Sequence, residues 1–166
     1  MQSLHTERLL LRPLTLEDAS ALHRLNSDER VMRYIGPLQH SVEDTAHYLQ
    51  TSPLRDYQLY GYGRHAVIHK DSGEFIGFCG LKYLADLQET DIGYRLHPDY
   101  WGQGLALEAA QAAMQFGQQQ LNLKRIIGLA MPDNQSSIRL LQKLGMHYEK
   151  QVAHLGTDCV CYSIML

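Results

Sequence analysis

The apolar run inside Glu7 to Leu14 (ERLLLRPL) predicts a first strand that ends near Pro13. Thr15 follows as an N-cap, with Asp18 three residues later, and opens an amphipathic segment reaching about Asn26. A second acidic helix start stands at Ser41-Val42-Glu43-Asp44, while Val31 to Gly36 fits neither period. From Arg64 the pattern changes. Arg64 to His69 and Phe75 to Leu81 are rich in β-branched, aromatic and small apolar residues, and they flank the turn Asp71-Ser72-Gly73, which predicts a hairpin. A strand over Glu89 to Leu96 is stopped by Pro98. Leu105, Ala109, Ala112 and Phe116 then share one face of a long helix. A strand at Lys124 to Ala130, a helix from Gln135 to Leu144 ended by Gly145, and strands at Met146 to Ala153 and Asp158 to Met165 complete the chain. Hairpins at both ends with a strand–helix–strand unit between them indicate an α/β (α+β) sheet protein.

Composition narrows the picture. The chain has 166 residues, 45% hydrophobic and 20% charged, and no low-complexity tract or repeat, so one globular domain spanning residues 1–166 is expected. A net charge of −3 argues against partners that bind through phosphate neutralisation, such as nucleic acid. No apolar stretch approaches the ~20 residues of a membrane helix. Cys79, Cys159 and Cys161 make a poor disulfide framework, and the first residues lack the pattern of a signal peptide, so a reducing, cytoplasmic setting is expected.

The chemistry concentrates in Asp91-Ile92-Gly93-Tyr94-Arg95-Leu96-His97-Pro98-Asp99-Tyr100-Trp101-Gly102-Gln103-Gly104-Leu105-Ala106. Here a strand stops, a proline turns the chain, and Gly102 and Gly104 open a helix. The first amides of a helix lack intrahelical acceptors and lie at the positive end of its dipole. With little side-chain bulk at Gly102, Gly104 and Ala106, this start is an anion cradle for a phosphate or pyrophosphate. No Gly-Lys-Ser/Thr follows, which argues against an ATP-binding P-loop. Leu107 stands where a Rossmann fingerprint needs a small residue, which disfavours nicotinamide cofactors.

The segment resembles the acetyl-CoA-binding motif of the GNAT superfamily, Gln/Arg-x-x-Gly-x-Gly/Ala. Gly104 and Ala106 match its last fixed positions, and Trp101 departs from the first. The Tyr-Trp-Gly-x-Gly form is similar to the RimJ/RimL-like branch of ribosomal-protein and related N-terminal acetyltransferases. Thr6 to Pro13 (TERLLLRP), Gly73 to Gly80 (GEFIGFCG) and Asn134 to Met146 (NQSSIRLLQKLGM) resemble that branch in the same order. The resemblance implies a single mixed, mostly antiparallel sheet flanked by helices, with central strands splayed around the pantetheine arm. It implies an acetyl-CoA-dependent N-acetyltransferase acting by direct transfer on a primary amine, either a peptide N-terminus or a small molecule, as a monomer or homodimer. The arm would pair with the main chain from Tyr94 to Leu96, and the pyrophosphate would meet the amides of Gly102, Gln103, Gly104, Leu105, Ala106 and Leu107. Asn134 corresponds to the asparagine on the far side of the splay, and Ser137 to the hydroxyl that protonates the leaving thiolate.

Direct transfer needs a neutral amine, a polarised carbonyl and a proton for the thiolate. With a pKa of about 8, an α-amine needs less help than a lysine at about 10.4. Asp91 is the expected base, directly or through water, with Glu89 as the alternate two residues away on the same strand face. A non-catalytic acyl-CoA-binding or sensor module is the competing reading. His65 and His69 lie in a predicted strand, where four residues span ~13 Å, too far for one metal ion. No metal site is expected. The acceptor is expected to meet the segments 28–50, 51–60 and 83–88, read as loops.

Overall fold

The computed structural model describes residues 1–166. Strands β1 (Leu4–His5) and β2 (Leu9–Pro13) open the chain. After a 3-10 turn come α1 (Ala19–Asn26), α2 (Glu29–Met32), α3 (Val42–Thr51) and α4 (Pro53–Tyr60). The middle of the chain forms β3 (Arg64–His69), β4 (Phe75–Leu84) and β5 (Glu89–Leu96). Helix α5 (Leu105–Gln119), β6 (Arg125–Ala130), α6 (Gln135–Lys143), β7 (His147–His154) and β8 (Thr157–Met165) complete it. The strands make one eight-stranded sheet in the order β1-β2-β3-β4-β5-β6-β8-β7. Short turns join most neighbours and leave them antiparallel. β6 alone runs parallel to its neighbour β5, because α5 returns the chain to the same end of the sheet.

Strand alternation sends β5 side chains to opposite faces. Ile92 and Leu96 join Leu105, Ala109, Ala113 and Phe116 of α5 in the larger core. Full burial of a leucine such as Leu105 stabilises by roughly 1.5–3 kcal/mol. Leu14, Leu22, Leu25 and Leu49 form a smaller core with Ala66 and Phe78 on the opposite face, under α1 and α3. The predicted hairpin, the β5 strand and both long helices are present. The inward face of α5 is rotated slightly, however, so that Ala113 is fully buried and Ala112 only half-buried. The segments expected as loops are largely helical. Ser41 caps α3 by accepting from the Asp44 amide at 3.0 Å, and Pro53 occupies the first turn of α4, where a missing N–H costs nothing.

The sheet is uneven at its centre. β4 and β5 pair continuously from Gly77↔Leu96 to Leu84↔Glu89, whereas β5 and β6 share only Asp91↔Ile127. Beyond that bridge the strands part, so the splay implied by the resemblance is present.

Candidate active site

The loop after β5 exposes a run of main-chain amides at the start of α5. Pro98 to Tyr100 makes a 3-10 turn, and Gly102 and Gly104 take left-handed φ of 73° and 76°, which a side chain would strain. Gly104 is the N-cap of α5, and Glu108 is the first residue of that helix whose amide bonds back, to the Gly104 carbonyl at 3.1 Å. The amides of Gly102, Gln103, Gly104, Leu105, Ala106 and Leu107 therefore have no acceptor in the protein. A Cβ at Gly102 would meet nothing within 4 Å, so backbone conformation rather than crowding requires that glycine.

Residues from the N-terminal motif brace this loop. Arg8 donates from Nη1 to the Gln103 carbonyl at 2.9 Å and from Nε to Glu108 at 2.7 Å. Glu108 also accepts from the Thr6 hydroxyl at 2.6 Å and the Arg8 amide at 2.9 Å. Partial burial pushes the Glu108 carboxyl up, but these hydrogen bonds outweigh it and hold the group below its ordinary pKa.

The His97 amide donates to the Ile76 carbonyl of β4 at 2.7 Å. Period-two alternation then turns the main-chain groups of Tyr94 and Leu96 away from β4, toward the gap before β6. The Leu96 carbonyl accepts from the Trp101 indole at 2.8 Å, which ties the loop to the strand end and leaves a second lone pair. Across the gap, the Tyr94 hydroxyl lies 2.8 Å from Ser137 Oγ. Asn134 caps α6 by accepting from the Ser137 amide at 3.2 Å and so fixes that serine. Burial raises the Tyr94 pKa, against the Ser137 hydrogen bond, so the phenol stays protonated.

At the vertex of the splay, on the opposite face of β5, Asp91 pairs with Arg64 at 2.6 Å, their side chains only 10% and 12% exposed. The other Asp91 oxygen accepts from the Leu129 amide of β6 at 3.3 Å. Burial pushes this carboxyl above the usual range, while the Arg64 charge pulls it back. Arg64 also donates to the carbonyls of Gly80 and Asp91. It lies over Gly93, where any Cβ would collide with the guanidinium. Glu89 stands apart. It joins Arg125 and Glu149 in a partly exposed ion-pair cluster at the first residue of β5, away from the gap.

The structure thus gathers Asp91, Tyr94, Leu96, Asn134 and Ser137 around one gap, with Gly102 to Leu107 following directly. It leaves out Glu89. Arg64, the Tyr94 hydroxyl and the Arg8–Glu108 brace were not singled out from sequence. A usable signal existed only for Arg64, because Gly80 and Gly93 on neighbouring strands mark a close approach. No three His, Cys, Asp or Glu side chains gather as a metal site would need, and no helix is long and apolar enough to cross a membrane.

Comparison with known proteins shows what the chain resembles. The chain is 36% identical to an uncharacterised N-acetyltransferase, p20, of Bacillus licheniformis, over 90% of this chain and 84% of that one. It is 28% identical to spermidine N(1)-acetyltransferase of Escherichia coli, over 93% of this chain and 80% of that one. The fold matches RimL, the ribosomal L7/L12 alpha-N-protein acetyltransferase solved in complex with coenzyme A. That match has a TM-score of 0.84 at 20% identity, covering 99% of this chain and 98% of the other. The acetyltransferase (GNAT) domain model matches residues 8–147, and the chain belongs to the GNAT acetyltransferase family.

Proposed function

We propose that residues 1–166 form one acetyltransferase domain that moves an acetyl group from acetyl-CoA to a primary amine by direct attack, in the cytoplasm. The observation that carries this reading is the run of unsatisfied amides from Gly102 to Leu107 beside an opened strand pair. The amides suit the pyrophosphate, and the free main-chain edge at Tyr94 and Leu96 suits an amide-bearing arm laid in like a strand. An N–H near Tyr94 would then face the thioester oxygen, where such a donor lowers the barrier by roughly 2.7–4 kcal/mol.

Asp91 accepts the amine's proton through a water on a lone pair that its bonds to Arg64 and Leu129 leave free; its burial makes it a stronger base than an exposed carboxylate. Ser137 returns a proton to the departing sulfur, and the Tyr94 hydroxyl orients Ser137 from 2.8 Å. Three buried, unpaired cysteines are in keeping with a reducing compartment. The RimJ/RimL-like motif points to an α-amine acceptor and the spermidine acetyltransferase relative to a polyamine, so the two leave the class of amine open.

Release of free thiol on mixing acetyl-CoA with an amine panel tests the reaction. Gly104→Glu, which adds bulk and negative charge at the amides, is expected to abolish acetyl-CoA binding in calorimetry; normal binding by that variant refutes the site. Binding without turnover on any amine, unchanged in Asp91→Asn and Ser137→Ala, leaves the non-catalytic acyl-CoA-binding module instead.

A further inference from the structure

Two arginines stand on the Asp91 face of β5, and only one of them has a counter-charge. Arg64 is matched by Asp91. Arg95 follows Asp91 and Gly93 on the same face and pairs in register with Phe78 of β4. Its guanidinium lies over the Phe78 ring, 4.6 Å from the centroid, and Nη1 donates to the Asn26 side chain at the end of α1. Its Nε is enclosed with no acceptor, and Nη2 makes no hydrogen bond within the protein. No carboxylate forms an ion pair with it; the charged or titratable groups that bear on it are Arg64 and the Tyr48 hydroxyl of α3. Burial pulls this guanidinium down to about 10, with Tyr48 opposing and Arg64 adding, which still leaves it a cation at neutral pH.

A largely enclosed cation with unused donors is costly unless something else completes its shell. Arg95 is placed to be completed by substrate. It lies beside Tyr94 and four strand positions, about 13 Å along β5, beyond Asp91 at the vertex of the splay, so it flanks the stretch of the gap where the transferase reading puts the thioester. We propose that Arg95 receives a carboxylate of the acceptor, so that the substrate is a small amino acid, its amine directed to the gap and its acid to the guanidinium. This rests on the transferase reading above, which places the attacking amine at that gap. A polyamine fits this face poorly, since it would set a second cation beside Arg95, while Asp91 is already neutralised by Arg64. Planar, two-pronged donation by a guanidinium also suits a carboxylate better than any neutral acceptor.

The test compares glycine, β-alanine and 4-aminobutyrate with their amides, and with spermidine, as acceptors for acetyl-CoA. For the best-fitting length, kcat/KM is expected to favour the acid at least tenfold, and Arg95→Gln is expected to collapse that preference at least tenfold, chiefly through KM. Arg95→Lys, which keeps the charge and loses the two-pronged geometry, should retain part of it and guards against a folding defect in the first variant. An acid-to-amide ratio equal in wild type and Arg95→Gln, or a preference for spermidine, overturns the proposal. Thermal shift supplies a readout without turnover. With coenzyme A present, the acids but not the amides should raise the Tm of the wild type and not that of Arg95→Gln; no such shift also overturns it. Normal acetyl-CoA binding with indifference to the carboxylate defeats this inference alone, whereas failure to bind acetyl-CoA defeats the transferase reading and takes this inference with it.

Discussion

The two faces of β5 are built from different materials. Toward α5, the strand presents Ile92 and Leu96 to the larger core, and the proposed anion site beyond its end consists of main-chain amides held by glycine geometry and a glutamate brace. Toward α1 and α3, it presents Asp91, Gly93 and Arg95 to a smaller core, and the polar groups there are charged side chains reaching between strands. A backbone site tolerates many side chains and keeps one ligand class. A side-chain site changes its ligand with each substitution. In the proposed reading the backbone-built side takes the donor and the side-chain face takes the acceptor.

This contrast can be broken most forcefully at the charged face. Arg64→Met strands Asp91 as a buried, unpaired acid and is expected to cost about 3–5 kcal/mol in urea unfolding, with loss of thiol release. A loss below ~1 kcal/mol would mean that solvent reaches the pair. Gly93→Ala places a methyl against the Arg64 guanidinium, and a cost of about 1–3 kcal/mol is expected, followed as a lowered denaturant midpoint. The Gly102 position, whose Cβ would be unobstructed, provides the control for pure backbone strain.

Smaller effects belong to the backbone-built side. Tyr94→Phe removes the hydroxyl beside Ser137 and should lower stability by only about 0.5–1.5 kcal/mol. If that hydroxyl orients the proton donor, kcat falls while the KM for acetyl-CoA holds; equal loss in both parameters would assign it to cofactor binding instead. The smallest change is expected from Glu108→Gln. The folded-state pKa of Glu108 lies below its ordinary value, so its contribution is present above about pH 4.3 and is lost as pH falls through the folded value. The variant should therefore show a shallower acid limb in stability, with the two proteins converging at low pH. Parallel acid limbs would contradict the hydrogen bonds drawn to this carboxylate.

Much of the architecture was legible because its signals are local. The Asp71-Ser72-Gly73 turn reports its hairpin within a few residues, and Gly104 reports a helix start through its own backbone. Helices α2 and α4 were not legible. One is a single short turn, and the other follows Ser52-Pro53, a pair that reads equally as a loop. On α5, Leu105, Ala109 and Phe116 face the core as expected and only Ala112 gives way to Ala113, because alanines at 109, 110, 112 and 113 blur the periodicity and contact with the sheet decides among them. Within the site, Tyr94, Leu96, Asn134 and Ser137 came together as the motif order suggested, whereas Glu89 went to an ion-pair cluster at the first residue of β5, away from the gap.

Sequence by itself determined the order of the longer strands and helices, the continuous hairpins and the glycine-bearing helix start, since each depends on backbone preferences and hydrophobic spacing over a few residues. Tertiary structure alone decided which charges meet. Arg64 finds Asp91, Tyr94 finds Ser137, Arg8 finds Glu108, and Arg95 finds no acid at all. Those outcomes depend on strand order, register and the parting of β5 from β6, which bring residues distant in the chain within hydrogen-bond reach and are encoded in no single segment.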